Sequence, residues 1–223
     1  MLVEKANKGL HSFIEELIKN KITDSTNILD VGAGSGAFIN RIAKYGGNYS
    51  AVEINKEAFQ LQNVNLYILD LNSDFSEKIN EKFDLIIATE IIEHIENPHH
   101  FIRQLKNLLA ESGIIVITTP NPENIPGRLK FLLKGTLRGF EWFITKDSMH
   151  HESQHISPIF TSLFLRMLEE NNLRIESYYP FPDKGFLNST NKTKAISLIL
   201  SKFLKGYKRG DTHIFFIRYK QYN

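Results

Sequence analysis

The chain has 223 residues, 42% of them hydrophobic, which is enough apolar material for one globular domain over residues 1–223. Its 27 basic and 25 acidic side chains leave a formal net charge of only +2, so no overall field favours a nucleic acid or a membrane surface as partner. The absence of cysteine excludes disulfides and thiolate sites, and without a signal-peptide or membrane-spanning pattern we expect a cytoplasmic protein.

The elements in chain order indicate an α/β fold. Residues 1–23 carry Leu10, Phe13, Ile14 and Leu17 at helical spacing, which predicts an N-terminal helix. Short apolar strands then alternate with helices, as in a Rossmann-like, mostly parallel sheet with helices on both faces and ligands at the carboxyl ends of the strands. We predict strands at 28–31, 49–53, 66–69, 83–89, 113–119, 173–178 and 213–219, and helices at 36–44, 55–61, 98–110 and 158–170.

The first strand leads into an acid and three alternate glycines. Asp30 ends the apolar run, and Gly32, Gly34 and Gly36 follow before the next helix. Glycine permits positive φ and lets main chain approach a ligand closely, and the amino end of a helix faces the same space. This pattern predicts a pocket for an adenosine-bearing cofactor at residues 30–36.

Acids also end the next two predicted strands. Glu53 lies about 20 residues after the glycines, as expected for a carboxylate that binds ribose hydroxyls. Asp70 follows the third strand. Because the carboxyl ends of parallel strands meet at one edge of a sheet, we expect Asp30, Glu53 and Asp70 to surround one ligand.

These motifs resemble those of the class I S-adenosylmethionine-dependent methyltransferases, and the resemblance covers about residues 24–180. It is carried by 28–36, Glu53, Asp70, 83–94 and 111–121. The resemblance implies seven strands with the last antiparallel, a glycine loop along the methionine part of the cofactor, Glu53 on the ribose and Asp70 at the adenine amino group. The expected cofactor-binding residues are Asp30, Gly32, Ala33, Gly34, Gly36, Glu53, Ile54, Asp70, Leu71 and Thr89.

The fourth strand is followed by Glu90, Glu93 and His94, which a helical turn would place on one face. We interpret them as catalytic residues, with His94 as a general base that takes a proton from an incoming hydroxyl. Alternatively, Glu90, Glu93, His94 and a distant His155 hold a divalent cation that acidifies the acceptor, or the motif has a purely structural role. The motif is similar to that of ubiquinone-pathway O-methyltransferases and of metal-dependent small-RNA ribose methyltransferases.

The acceptor is predicted only by class. We favour a hydroxyl of a small molecule, sugar or lipid-linked compound, because the chain lacks the Asn/Asp-Pro-Pro-Tyr/Phe motif of amide-methylating families. A metal-dependent RNA ribose methyltransferase is an alternative, although no basic stripe favours a nucleic acid. Further alternatives are an NAD-dependent oxidoreductase, which the Gly-x-Gly-x-Gly spacing disfavours, and a non-catalytic cofactor-binding module. The oligomeric state is left open.

Two segments depart from the strand–helix alternation. Residues 121–155 mix basic and aromatic side chains such as Trp142 after the fifth strand, and we predict a helical lid insertion there, with a plain covering helix pair as the alternative. Residues 192–209 combine an apolar helical face with several lysines. Peripheral membrane contact is conceivable for this segment, but we favour a helix that packs beside the last strand.

Overall fold

The computed structural model of the protein describes residues 2–4, 6–137, 139–140, 155–181 and 206–221. The strands are β1 Asn27–Val31, β2 Asn48–Glu53, β3 Asn65–Ile68, β4 Phe83–Thr89, β5 Leu109–Pro120, β6 Leu173–Phe181 and β7 Thr212–Tyr219. The α-helices are α1 Leu10–Ile18, α2 Ala37–Ile42, α3 Pro98–Leu108, α4 Ile125–Lys134 and α5 Thr161–Glu170.

The seven strands form one sheet in the order β3-β2-β1-β4-β5-β7-β6. The first five strands pair in parallel, whereas β7 runs antiparallel to both β5 and β6. The central strand β4 is apolar over most of its length because parallel strands in such sheets are covered on both faces. The predicted fold class, including the antiparallel last strand, is confirmed.

Helices cover both faces of the sheet. Leu10 of α1 and Phe38 of α2 pack in one buried cluster with Ile28 of β1. Phe101 of α3 packs in a second cluster with Leu29, the next residue of the same strand. Neighbouring side chains of a strand point to opposite faces, so this alternation places one core on each side of the sheet.

One predicted helix is replaced by turns, and several predicted element boundaries are wrong. Residues 55–61 form turns instead of a helix, because the Asn55 amide donates to Glu53 Oε1 and the Gln60 amide to the Ser35 carbonyl. The fifth helix starts at Thr161, whose amide donates to Glu123 Oε2 at 2.8 Å, three residues after the predicted start. The fifth strand already begins at Leu109, which pairs with Phe83 of β4.

Parts of two predicted segments lie outside the described residues. In the predicted lid these are residues 138 and 141–154, including Trp142, while α4 occupies its first part. In the basic amphipathic segment they are residues 192–205. No helix in the part of the chain that the structure describes has the length and apolar character needed to cross a membrane.

Candidate active site

A cavity of about 620 Å³ opens at the carboxyl ends of β1, β2 and β4. Gly36 lies outside its lining, at the amino end of α2, and so does Glu93, which is buried beneath the surface. The predicted site residues that line it are Asp30, Gly32, Ala33, Gly34, Glu53, Ile54, Asp70, Leu71, Thr89, Glu90, His94 and His155. The structure therefore brings the predicted cofactor residues other than Gly36, together with the predicted catalytic histidine, to one cavity.

The glycine loop forms one wall of the cavity and needs its glycines. Gly32 has φ +73°, and a Cβ there would lie 2.2 Å from Cδ1 of Ile91. Gly34 has φ +53°, a conformation that side-chain-bearing residues rarely adopt. The loop is thus a close backbone surface against which an extended ligand can lie.

Glu53 holds this loop to the end of β2. Its Oε2 accepts a hydrogen bond from the Gly34 amide at 2.7 Å, and its Oε1 accepts one from the Asn55 amide at 3.0 Å. A carboxylate can accept about four hydrogen bonds, so Glu53 retains lone pairs for ligand hydroxyls. Asp70 is more exposed, and its Oδ1 accepts from the Asn72 amide at 2.9 Å.

Asp30 is a buried carboxyl at the end of β1. Only 3% of its surface is exposed, and its Oδ2 has no hydrogen-bond partner among the described residues. Burial and, secondarily, the charge of Glu53 raise the pKa of Asp30 to about 7. An unpartnered acid beside a cavity is suited to a positively charged ligand group, which would restore its ionised form.

The motif after β4 does not form the single helical face that its spacing predicts. Glu90 has φ +56°, and its amide donates to both the carbonyl and the hydroxyl oxygen of Thr118. The Thr118 hydroxyl in turn donates to Glu90 Oε1 at 3.1 Å. A short 3₁₀ turn then covers Ile92–His94. Because the backbone at Glu90 is left-handed, Glu90 and His94 line the cavity while Glu93 turns into the protein.

Glu93 is fully buried, and neither carboxylate oxygen has a hydrogen-bond partner among the described residues. Burial, followed by the charge of Glu90, raises its pKa well above the ordinary value of a glutamate. The nearby Thr119 hydroxyl offsets part of this rise in pKa, although the two side chains lack the geometry of a hydrogen bond. Burial of Glu90 likewise raises its pKa, to about 7.

Backbone contacts of the same residue bring a distant histidine to the site. The Glu93 carbonyl accepts hydrogen bonds from the Ile156 and Ser157 amides, both at 2.9 Å. The rings of His94 and His155 therefore meet edge to face, with centroids 4.8 Å apart. Glu93, His94 and His155 each offer one atom that could bind a metal ion, and these three atoms lie within 4.8 Å of one another. Glu90 is outside this group.

The N-terminal segment forms part of the cavity wall, which no motif in the sequence predicts. The Val3 amide donates to Ser35 Oγ, which donates back to the Val3 carbonyl, both at 3.1 Å. Asn7 donates to the Thr212 hydroxyl at 3.2 Å, and His11 is buried against the same space. The lining residues that the sequence analysis missed include Val3, Ala6, Asn7, His11, Asn121, Asn124 and Asp211.

Known proteins match both the sequence and the fold. A family model for a methyltransferase domain matches residues 2–178. A ubiquinone biosynthesis O-methyltransferase of Rickettsia bellii (strain OSU 85-389) is 29% identical over 184 residues, covering 78% of this chain and 73% of that protein. One from Glaesserella parasuis serovar 5 is 33% identical over 155 residues, covering 57% and 65%.

The solved structures agree in fold. An S-adenosylmethionine-dependent methyltransferase from Clostridium acetobutylicum superimposes with a TM-score of 0.63 at 14% identity, covering 98% of this chain and 94% of that one. A second, from Mesorhizobium loti, gives a TM-score of 0.56 at 14% identity, covering 91% and 96%. At such identities the likeness concerns the fold alone.

Proposed function

Because the chain belongs to the class I S-adenosylmethionine-dependent methyltransferases, we propose that it methylates a hydroxyl oxygen of a small-molecule acceptor. One observation carries the proposal: His94 lines the same cavity as the glycine loop, Glu53 and Asp70. A proton acceptor thus stands beside the space for the cofactor. The relatives named as O-methyltransferases support oxygen as the acceptor atom. Membership of the methyltransferase family argues against the alternative of an NAD-dependent oxidoreductase.

The residues present fit the cofactor. S-adenosylmethionine supplies a methyl group on a positively charged sulfonium. The unpartnered oxygen of Asp30 is a suitable neighbour for a cation, and the Gly32 backbone leaves no room for a side chain. Following the family, we assign the glycine loop to the methionine part, Glu53 to the ribose and Asp70 to the adenine.

In this proposal His94 accepts the proton of the acceptor hydroxyl at a ring nitrogen. A neutral imidazole is a suitable base at physiological pH. Much of the remaining rate enhancement comes from holding two molecules in one cavity, which removes the entropic cost of their encounter. The polar wall formed by Asn7, Asn121 and Asp211 supports an acceptor with polar groups.

A divalent cation is a second candidate for activating the acceptor. Glu93, His94 and His155 offer one carboxylate and two imidazoles, a set that suits several divalent metals. Such an ion would lower the pKa of an acceptor hydroxyl. Three of the four predicted ligands are thus brought together, while Glu90 bonds to Thr118 instead. In the alternative of a metal-dependent RNA ribose methyltransferase, the acceptor would be a ribose hydroxyl of RNA. The low net charge of +2 argues against an RNA substrate.

We also propose that residues 121–155 act as a lid in a single domain that spans the chain. Asn124 at the start of α4, Gly139 and His155 all line the cavity. Described residues at both ends of the segment thus lie at the cavity rim, which supports a lid.

A methyl-transfer assay tests the proposed function. The protein is incubated with S-adenosylmethionine and a panel of phenols, catechols, sugars and matched amines, and the products are identified by mass spectrometry. We expect methylation on oxygen of at least one hydroxyl compound. Transfer confined to the amines, or none to any hydroxyl compound despite bound cofactor, contradicts the proposal.

The pH dependence of cofactor binding tests the role of Asp30. Below its raised pKa of about 7 the free protein carries Asp30 protonated, whereas a cationic ligand favours the carboxylate. Binding then releases a proton, so affinity falls as pH is lowered from about 7.5 to 5.5, by up to about tenfold per pH unit below the pKa. Calorimetry in two buffers of different ionisation enthalpy measures this release.

The variant Asp30→Asn is the matched control for this measurement. It cannot ionise, so we expect weaker binding without the proton release. The same pH dependence in both proteins would assign the effect to another group, such as Glu90.

A further inference from the structure

The end of helix α4 is the most exposed apolar feature of the described chain. Phe131, Leu132 and Leu133 are 56%, 78% and 78% exposed. We propose that this helix end docks on an anionic lipid bilayer. The inference rests on the proposed function and deepens it, because it places the cavity next to lipid-linked acceptors.

The helix end projects from the described body of the protein. Residues 131–135 are five consecutive exposed residues. Successive residues of a helix lie about 100° apart, so four of them occupy nearly its whole circumference. No face of this last helical turn therefore packs against the described core. The helix stops at Gly135, whose φ of +68° ends it in the usual left-handed conformation.

The charge around these side chains fits an anionic surface. Residues 125–137 contain Arg128, Lys130 and Lys134 and no acid. Lys134 is exposed beside the leucines, whereas Arg128 also contacts the carbonyl and carboxylate of Glu123. Exposed apolar side chains flanked by cations bind membranes by burying apolar surface among the lipids while the cations contact their headgroups.

Helix α5 offers a useful contrast. Leu163 and Leu165 are also exposed, at 52% and 40%. Their neighbours, however, include Glu169 and Glu170 beside Arg166, which bonds to Glu170. This mixed charge gives no attraction to an anionic surface, so exposure of leucine alone does not lead to the same inference.

The other end of α4 is fixed at the cavity. The Asn124 side chain caps the helix by accepting from the Gly127 amide at 2.7 Å and donates to Asp211 Oδ1 at 2.8 Å. Both Asn124 and Asp211 line the cavity. A bilayer contacted by the far end of this short helix would therefore lie near the cavity rim.

Co-sedimentation with vesicles tests the docking surface. Wild-type protein is mixed with phosphatidylcholine vesicles that contain about 30% phosphatidylglycerol, or none, at low and high salt. We expect binding to the anionic vesicles that weakens with salt. The double variant Leu132→Glu/Leu133→Glu should lose about tenfold or more of this binding, because the inserted side chains become charged. The matched variant Leu163→Glu/Leu165→Glu should bind as the wild type does.

Equal binding by both double variants, or no binding of the wild type to anionic vesicles, overturns the inference. Leucine-dependent self-association in light scattering without vesicle binding also overturns it, because the occupant is then a second copy of the chain. Titration of S-adenosylmethionine into the same proteins separates the two claims. Retained cofactor affinity shows that the variants are folded, whereas vesicle binding by a wild type that binds no cofactor would refute the proposed function alone.

Discussion

Replacing His94 by alanine is expected to lower turnover with the true acceptor by about 100-fold or more, because the proton of the hydroxyl then loses the base that we assign to it. The affinity for S-adenosylmethionine should change little, since the glycine loop, Glu53 and Asp70 are untouched. Steady-state kinetics and calorimetry measure the two effects. The matched control is His99→Ala, whose side chain is exposed and pairs with Glu170 on the surface. Unchanged turnover in His94→Ala would refute the catalytic role.

The variant His155→Ala distinguishes a mechanism with His94 as general base from one with a bound divalent cation. If His94 acts as a base alone, turnover survives dialysis against a chelator, and divalent cations do not bind to the chain at micromolar levels. If Glu93, His94 and His155 hold a cation, the chelator abolishes turnover, and calorimetry shows cation binding that His155→Ala removes. Loss of activity in His94→Ala with no response to chelator supports the base.

Replacing Glu53 by alanine is expected to weaken S-adenosylmethionine binding by about 100-fold. The ligand loses a charged hydrogen-bond acceptor, and the Gly34 and Asn55 amides lose the carboxylate that positions the loop. A hydrogen bond to a charged group contributes about 1.5–3 kcal/mol, and about 1.4 kcal/mol is tenfold in affinity. Calorimetry measures the change. An unaltered affinity would remove Glu53 from the site.

The control for this variant is Glu57→Ala, which removes an exposed acid four residues further along the chain. It should bind the cofactor as the wild type does. Thermal unfolding of both variants shows whether a loss of affinity comes from the site or from the fold.

Features with a local cause could be predicted from the sequence. The strand β4 is apolar and buried except at Asp84 and Thr89, and both its ends are placed correctly. The glycine loop, Glu53 and Asp70 meet around one cavity because parallel strands end at one edge of the sheet. The placement of these residues depends on the order of the strands and helices and on the direction of the strands. Both can be inferred from the pattern of hydrophobic residues.

Features that depend on contacts between distant residues could not be predicted. The left-handed backbone of Glu90 is held by Thr118 on the neighbouring strand, 28 residues away. The N-terminal wall depends on the contact between Val3 and Ser35, 32 residues apart. The turn at 55–61 replaces a helix because the Gln60 amide donates a hydrogen bond to the carbonyl of Ser35 in the glycine loop. In each case a tertiary hydrogen bond outweighs the local preference.

Titration of the purified protein with S-adenosylmethionine and with its demethylated product tests the central claim most directly. The account predicts saturable binding of both, with one displacing the other, and weaker binding to Glu53→Ala. Failure of both to bind at millimolar concentrations, while NADH binds, would contradict it.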